Sequence, residues 1–241
     1  MRLNRFLAGA GLGSRRACEE LIRQGRIEVN GVTVTLPGPE IDPAADDVRC
    51  DGERVRLPKS HLYLMLNKPA GFVTTLADER GRKSVADFLG RYLGKVFPVG
   101  RLDRATEGLL LLTSDGELAN RLLHPRYQVE RTYMAWVRPI PSLAICRQIE
   151  AGVAIGDGER SGPADVRVYR SKGEVARVRL ILREGKYREV RRIFAHFDIK
   201  VNALRRVAFA GLTLGTLEPG HLRALTAQEL TALRRRAGLL P

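Results

Sequence analysis

Apolar positions change period once within the first 34 residues, from helical spacing to strict alternation. Leu3, Phe6 and Leu7 recur at helical spacing and predict a short helix over residues 2–9. Ser14 is placed to cap a second helix that runs through Gln24 with Leu21 and Ile22 inward, and Gly25 closes it. The period then falls to two. Ile27, Val29, Val32 and Val34 flank Asn30-Gly31, a pair in which both residues accept positive φ, so a type I′ hairpin is expected. The stretch from Leu36 to Lys59, rich in Pro, Asp and Gly, reads as a short-stranded tail of this unit running into a linker on which it can pivot. From His61 onward the pattern predicts a larger unit, with strands near 62–66, 108–113, 129–138, 163–170 and 174–183. Helices are expected near 84–91, 115–123, 141–150, 186–197 and 226–237. The two do not alternate regularly. In 174–183, Val178, Leu180 and Leu182 share one face while Arg177, Arg179 and Ile181 share the other, so one sheet face is core and the other is basic. The fold class is therefore α+β, with a mixed, mainly antiparallel sheet flanked by helices.

A length of 241 residues allows a small unit over 1–59 and a larger one over 60–241. With 44% hydrophobic and 28% charged residues and a mean hydropathy of −0.18, the chain can bury a core, which excludes disordered and fibrous classes. The formal net charge of +14 attracts polyanions, and it is unevenly placed. Residues 1–59 hold ten basic and nine acidic side chains, so the excess lies almost wholly in the larger unit, whose open face or cleft suits a nucleic acid. Arginine outnumbers lysine 34 to 7, but a GC-rich genome produces the same bias, so the ratio decides little. Apolar runs such as Leu109 to Leu112 are far too short to cross a bilayer, and no signal peptide is visible. Cys18, Cys50 and Cys146 are odd in number and widely spaced, which fits neither a disulfide framework nor a zinc site and points to a reducing cytoplasm.

The standard cofactor signatures are missing. No phosphate-binding loop is present, Gly156-Asp-Gly158 reads as a hairpin turn, and His61, His124, His196 and His221 are too far apart for helix-spaced metal ligands. Neither cofactor nor metal is expected. The charged turn from Arg101 to Glu107 stands out, because it places Asp103 on a loop anchored to the buried run Leu109 to Leu112. Residue by residue, two readings stay open: Asp103 caps a turn or is a poised carboxylate, and Tyr133 is a core aromatic or a base-stacking phenol. Arg191 likewise lies on a solvated helix position or reaches a cleft. Arg2, Arg5, Arg15, Arg16, Arg23 and Arg26 along the first two helices form either a solvated face or an RNA contact.

Two resemblances discriminate between these readings. Arg2-Leu-Asn-Arg-Phe-Leu-Ala8, Gly13-Ser-Arg-Arg-Ala17 and Gly25-Arg-Ile-Glu-Val-Asn-Gly31 resemble the S4 RNA-binding domain over about residues 1–50, which implies RNA contacts by Arg15 and Arg16. Gly100-Arg-Leu-Asp103 is similar to the signature loop of pseudouridine synthases. Tyr63-Leu-Met-Leu-Asn-Lys-Pro-Ala-Gly71, Glu130-Arg-Thr-Tyr133 and Glu184-Gly-Lys-Tyr-Arg-Glu-Val-Arg-Arg192 match the other motifs of that family in order. The resemblance implies an S4 module joined to a pseudouridine synthase domain that isomerises a uridine of ribosomal RNA without a cofactor. It assigns Asp103 as nucleophile, Tyr133 as base or stacking wall, and Arg191 as the partner that holds Asp103 ionised through a charge-assisted bond. Arg101 would enter the RNA stack after the uridine leaves, and Lys68 and Arg104 would contact phosphate. Residues 115–125 and Val129-Glu-Arg131 most resemble members acting on 23S rRNA near the peptidyl-transferase region. A 16S rRNA enzyme and a non-catalytic S4-bearing assembly factor are the alternatives, and a monomer is expected. The chain departs from common members at Arg131, often Lys, and Glu189, often Gln.

Overall fold

The computed structural model describes residues 1–170 and 173–240. The N-terminal unit opens with α1 (Leu3–Gly9) and α2 (Arg15–Arg23). Ser14 caps α2 as expected, its Oγ accepting the Ala17 N–H at 3.1 Å. β1 (Ile27–Val29) and β2 (Val32–Val34) form the hairpin, with Asn30 and Gly31 at φ 52° and 79°. The tail supplies β3 (Val48–Cys50) and β4 (Glu53–Arg54), which complete a four-stranded antiparallel sheet in the order β2-β1-β3-β4. Leu3, Leu7, Cys18, Ile22 and Ile27 are fully buried where the helices meet this sheet.

The larger unit runs β5 (Tyr63–Lys68), β6 (Phe97–Pro98), β7 (Thr106–Thr113), α3 (Gly116–Leu123), β8 (Arg131–Arg138) and α4 (Leu143–Ala151). It continues through β9 (Ala154–Gly156), β10 (Glu159–Arg160), β11 (Asp165–Arg170), β12 (Ala176–Leu182) and α5 (Glu189–Ala195). It closes with β13 (Lys200–Phe209), β14 (Leu212–Thr213), β15 (Leu222–Ala224) and α6 (Ala227–Arg236). The main sheet has the order β11-β12-β8-β13-β7-β5-β15, and only the β13–β7 seam is parallel, so the expected mixed, mainly antiparallel sheet is found. At that seam a Cβ on Gly108 would lie 2.2 Å from the Arg206 carbonyl oxygen, so only glycine permits the two backbones to approach. The turn between β9 and β10 is at Asp157-Gly158, as the sequence predicts.

Strand alternation divides the sheet's packing in three. Ala135, Val137, Val178 and Leu180 pack against Ile149 of α4 and Val190, Ile193 and Phe194 of α5. Leu64, Leu66, Leu110 and Leu112 point to that same front face but pack against Val85, Leu89 and Leu102. Met65, Leu109 and Leu111 point backward onto α3 and α6. Each such leucine contributes roughly 1.5–3 kcal/mol by leaving water. The two front cores meet at Tyr133, which packs against both, and a cleft opens there.

Several elements differ from expectation. The helix expected over 84–91 is instead two 3-10 turns, Val85–Phe88 and Gly90–Tyr92, because Gly90 adopts φ 45° and breaks the run. The helix expected over 186–197 begins only at Glu189, since Arg188 takes a left-handed conformation at φ 49° and leaves Lys186 and Tyr187 in a loop. Neither the short β6, β14 and β15 nor the long β13, which lies between β8 and β7, was anticipated. The register of β13 shifts at Val201/Ala203 and Arg206/Ala208, and these irregularities erase the two-residue alternation that would reveal a strand.

Candidate active site

Asp103 sits on the loop that enters β7, and its surroundings fix that loop from several directions. Leu102 is buried and exchanges hydrogen bonds with the Thr74 hydroxyl, which donates to the Leu102 carbonyl at 2.7 Å and accepts its N–H at 3.2 Å. The Gly71 N–H donates to the Arg104 carbonyl at 2.7 Å, and Arg104 Nε returns a bond to the Gly71 carbonyl at 3.2 Å. The Asp103 carbonyl accepts the Thr106 N–H at 3.0 Å and Lys68 Nζ at 3.3 Å. Lys68 Nζ also donates to the carbonyls of Pro69 at 3.0 Å and Thr106 at 2.8 Å. Main chain is thus held while the Asp103 side chain, 27% exposed, is left for another task.

That side chain lines a cavity of about 280 Å3 together with Tyr133, Arg101, Tyr187, Arg188 and Glu189. A second cavity of about 500 Å3, bordered by Arg80, Arg82 and Arg104, shares Arg101, Asp103 and Tyr187 with the first, so the carboxylate lies along one continuous groove. The Tyr133 phenol makes no hydrogen bond to a described residue and is free to meet a ligand. A carboxylate and an unengaged phenol lining one cavity can attack one atom of a bound molecule and move a proton at another.

The sequence places a charge-assisted bond between Arg191 and Asp103, and the structure corrects it. The cation within pairing distance is Arg188, whose Nη1 lies 3.8 Å from Asp103 Oδ2. Its left-handed backbone, uncommon for a non-glycine residue, sets it just ahead of α5 and over the cavity. Arg191 instead donates from Nη1 to the Val201 carbonyl at 3.0 Å and from Nη2 to the Ala105 carbonyl at 3.3 Å. It ties α5 to β13 and to the Asp103 loop through main chain, and burial lowers its pKa while the neighbouring Asp103 charge partly opposes that. Arg191 thus bonds to main chain around the loop, and its charge reaches the Asp103 carboxylate only through space.

Lys68 requires a second correction. Expected to contact phosphate, it is fully buried, and burial pushes its pKa down to about 8. With all three bonds going to main-chain carbonyls it is an internal clamp. Arg101 and Arg104 are exposed and keep their place as candidates, as do Arg15 and Arg16, exposed on α2 in the other unit. Of the two departures, Arg131 is buried and donates to the Val129 carbonyl at 2.7 Å and the Leu122 carbonyl at 3.2 Å. Glu189 is buried on the cavity wall, and burial together with a hydrogen bond to Glu184 pushes its pKa up to about 8. The shift favours the protonated acid, which can donate a hydrogen bond as a glutamine would. Arg188, Thr74 and Tyr187 were missed. Tyr187, 69% exposed on the rim, carries the one detectable signal, an aromatic within a charged segment.

Comparison with known proteins places these features together. Residues 62–196 match the family model for RNA pseudouridylate synthase, and residues 1–48 match the S4 domain. The chain is 40% identical to an RNA pseudouridine synthase of Aquifex aeolicus, covering 99% of this chain and 96% of the relative. It is 38% identical to ribosomal large subunit pseudouridine synthase B of Bacillus subtilis, covering 97% and 95% respectively. Among solved structures, a pseudouridylate synthase superposes with a TM-score of 0.69 at 29% identity, covering 97% of this chain and 99% of that one.

Proposed function

Because this chain belongs to the RNA pseudouridylate synthase family, whose members are RNA isomerases, we propose that it converts one uridine of 23S rRNA near the peptidyl-transferase region to pseudouridine, with Asp103 as the attacking carboxylate. The observation that carries this reading is Asp103 itself: its main chain is clamped by Lys68, Thr106 and the Thr74–Leu102 bonds while its carboxyl group faces the cavity it shares with Tyr133. The large-subunit target is supported by the names of the relatives from Bacillus subtilis, at 38% identity, and Pseudomonas aeruginosa, at 36%.

The reaction is an isomerisation, so it needs no co-reactant: the bond from ribose C1′ to uracil N1 breaks, C1′ joins C5, C5 loses its proton and N1 gains one. Asp103 serves by attack at C1′ or C6, or by supporting loss of the C2′ proton. The Tyr133 phenol, unengaged in the same cavity, stacks on the uracil or takes the C5 proton. Arg188 orients the carboxylate by its charge, and Arg191 holds the loop through the Ala105 carbonyl. The uridine must leave its stack to enter, at a cost of a few kcal/mol, and the exposed guanidinium of Arg101 on the rim suits the vacated place. The cavity is near the lower end of the ligand-pocket range, roughly 300 Å3, as fits a single extruded nucleotide. Residues 1–59 dock on a neighbouring rRNA helix through Arg15 and Arg16, residues 60–241 perform the chemistry, Arg104 contacts phosphate, and the protein works as a cytoplasmic monomer. Among the described residues no helix is long and apolar enough to cross a membrane.

The test is a pseudouridine map of 23S and 16S rRNA from a strain lacking the gene, complemented with wild type or with Asp103→Asn. One 23S site should vanish and return with wild type only. A vanished 16S site would overturn the large-subunit target, and a map unchanged by deletion would overturn the activity on rRNA.

A further inference from the structure

The back face of the sheet is covered by α3 and α6 over β7 and β5, but among the described residues no helix covers the half formed by β11, β12 and β8 there. Strand register sets its side chains in rows. Arg167 stands opposite Arg179, which stands opposite Met134, and in the next row Tyr169 stands opposite Arg177, which stands opposite Trp136. All point away from Tyr133, whose neighbours in sequence and register alternate to the front. Arg167 and Arg177 lie over the Tyr169 ring at 5.3 and 5.9 Å.

The charge of this face is unbalanced. Among the described residues no carboxylate pairs with Arg167, Arg177 or Arg179; the nearby acids are engaged elsewhere, Asp165 with Arg183 at 3.1 Å, Glu107 with Arg205 at 3.7 Å and Glu174 with Arg138. Like charges directly opposite one another on a sheet are destabilising, so the Arg167–Arg179 pair costs stability unless an anion lies across it. Guanidinium groups interleaved with a tyrosine and a tryptophan on an open sheet match the two needs of an unpaired RNA strand, phosphate neutralisation and a surface for base stacking. An acidic protein would satisfy the charge but leave the aromatic rings without a planar partner.

We propose that this uncovered face is a second RNA-binding surface, which holds an unpaired segment of the same structured RNA on the side of the sheet opposite the uridine cavity. The proposal rests on the reading that the substrate is a large folded RNA, since a short hairpin in the front cleft has no reason to reach the back. It gives a large rRNA a hold on the catalytic unit independent of the S4 module.

Trp136 is the only tryptophan in the chain, so its emission reports occupancy of this face directly. The probe is an oligoadenylate of about 20 nucleotides, which stacks well and carries no uridine for the cavity. Binding should quench Trp136. The triple variant Arg167→Ala, Arg177→Ala, Arg179→Ala, all outside the cavity, should weaken that binding at least about tenfold and reduce the slope of log affinity against log salt by about 2, near 0.7 for each phosphate no longer neutralised. On in vitro transcribed 23S rRNA the same variant should raise KM and leave kcat unchanged. The proposal is overturned if oligoadenylate binds by fluorescence polarisation without altering Trp136 emission, if the triple variant keeps the wild-type slope, or if polyglutamate quenches Trp136 as strongly as the oligonucleotide. A wild-type protein that leaves the 23S transcript unmodified would count against the catalytic reading, whereas the oligoadenylate result reads this surface independently.

Discussion

Replacing Lys68 with methionine separates the two roles open to a basic residue beside Asp103. Its ammonium is fully buried on β5 and donates to three main-chain carbonyls, two of them, Asp103 and Thr106, on the loop that carries the carboxylate. With its pKa pushed from 10.5 down to about 8, keeping it charged at pH 7 costs about 3 kcal/mol relative to water. Hydrogen bonds from a charged donor contribute about 1.5–3 kcal/mol each. Methionine keeps the length of the chain, removes the burial cost and forfeits the three bonds. The net destabilisation is therefore about 1.5–6 kcal/mol, and at roughly 2–4 °C per kcal/mol for a chain of this size Tm should fall by at least about 3 °C. Loss of the clamp should also lower kcat, by about a hundredfold for a displacement of about 1 Å at the reacting group. RNA affinity and its salt dependence should not change, because Nζ does not reach solvent. Differential scanning fluorimetry, single-turnover modification and salt-dependent binding together decide the matter. A Lys68→Met protein with wild-type Tm and kcat but weaker binding, and a salt slope smaller by about 0.7, would refute the clamp and restore a phosphate contact.

Arg188→Ala should lower kcat with little effect on Tm, since that side chain is exposed and lies beside the carboxylate; Arg191→Ala should lower both, because it removes a part-buried bond, worth roughly 1–3 kcal/mol, to Val201 and a second, exposed one to Ala105 that tie α5 to β13 and the loop. Equal Tm losses for the two variants would contradict this division. Glu189 has its folded-state pKa raised from 4.5 to about 8, so the folded protein holds a proton that the unfolded chain releases, and stability contributed below about pH 4.5 is lost as pH rises through about 8. Glu189→Gln should flatten that decline between about pH 5 and 8 in a Tm series, and parallel curves for variant and wild type would count against a neutral Glu189. In the N-terminal unit, Arg15→Ala with Arg16→Ala should weaken rRNA binding and reduce its salt slope by roughly 0.7–0.9 for each phosphate released from an arginine; an unchanged slope would place RNA elsewhere.

Much of this architecture was legible because local chemistry and tertiary context agree. Ser14 caps α2, Asn30-Gly31 makes its turn, and the alternation along β12 separates Val178, Leu180 and Leu182 from Arg177 and Arg179 as the sequence requires. The loop bearing Asp103 was legible as a charged turn against a buried strand. What the sequence conceals are features set by backbone shape or by distant partners. β13 is masked by two register shifts, and the left-handed conformation that swings Arg188 over the cavity leaves no mark in residue type. Lys68 resembles any basic residue until β5 and the Asp103 loop close around it, and Thr74 is one threonine among many until it meets Leu102. Arg177 and Arg179 read as a basic face from alternation alone, but the addition of Arg167 beside them and the lack of carboxylate partners for all three are facts of tertiary structure.

The most direct measurement of the central claim is tritium release from RNA labelled at uridine C5, compared between wild type and Asp103→Asn at saturating RNA. Forming the new bond at C5 expels that label, so wild type should release it in step with pseudouridine formation. The asparagine variant, isosteric but without a carboxylate to attack or to support the transfer, should release none while binding RNA as wild type does. Release by Asp103→Asn at the wild-type rate would show that the chemistry does not pass through this side chain.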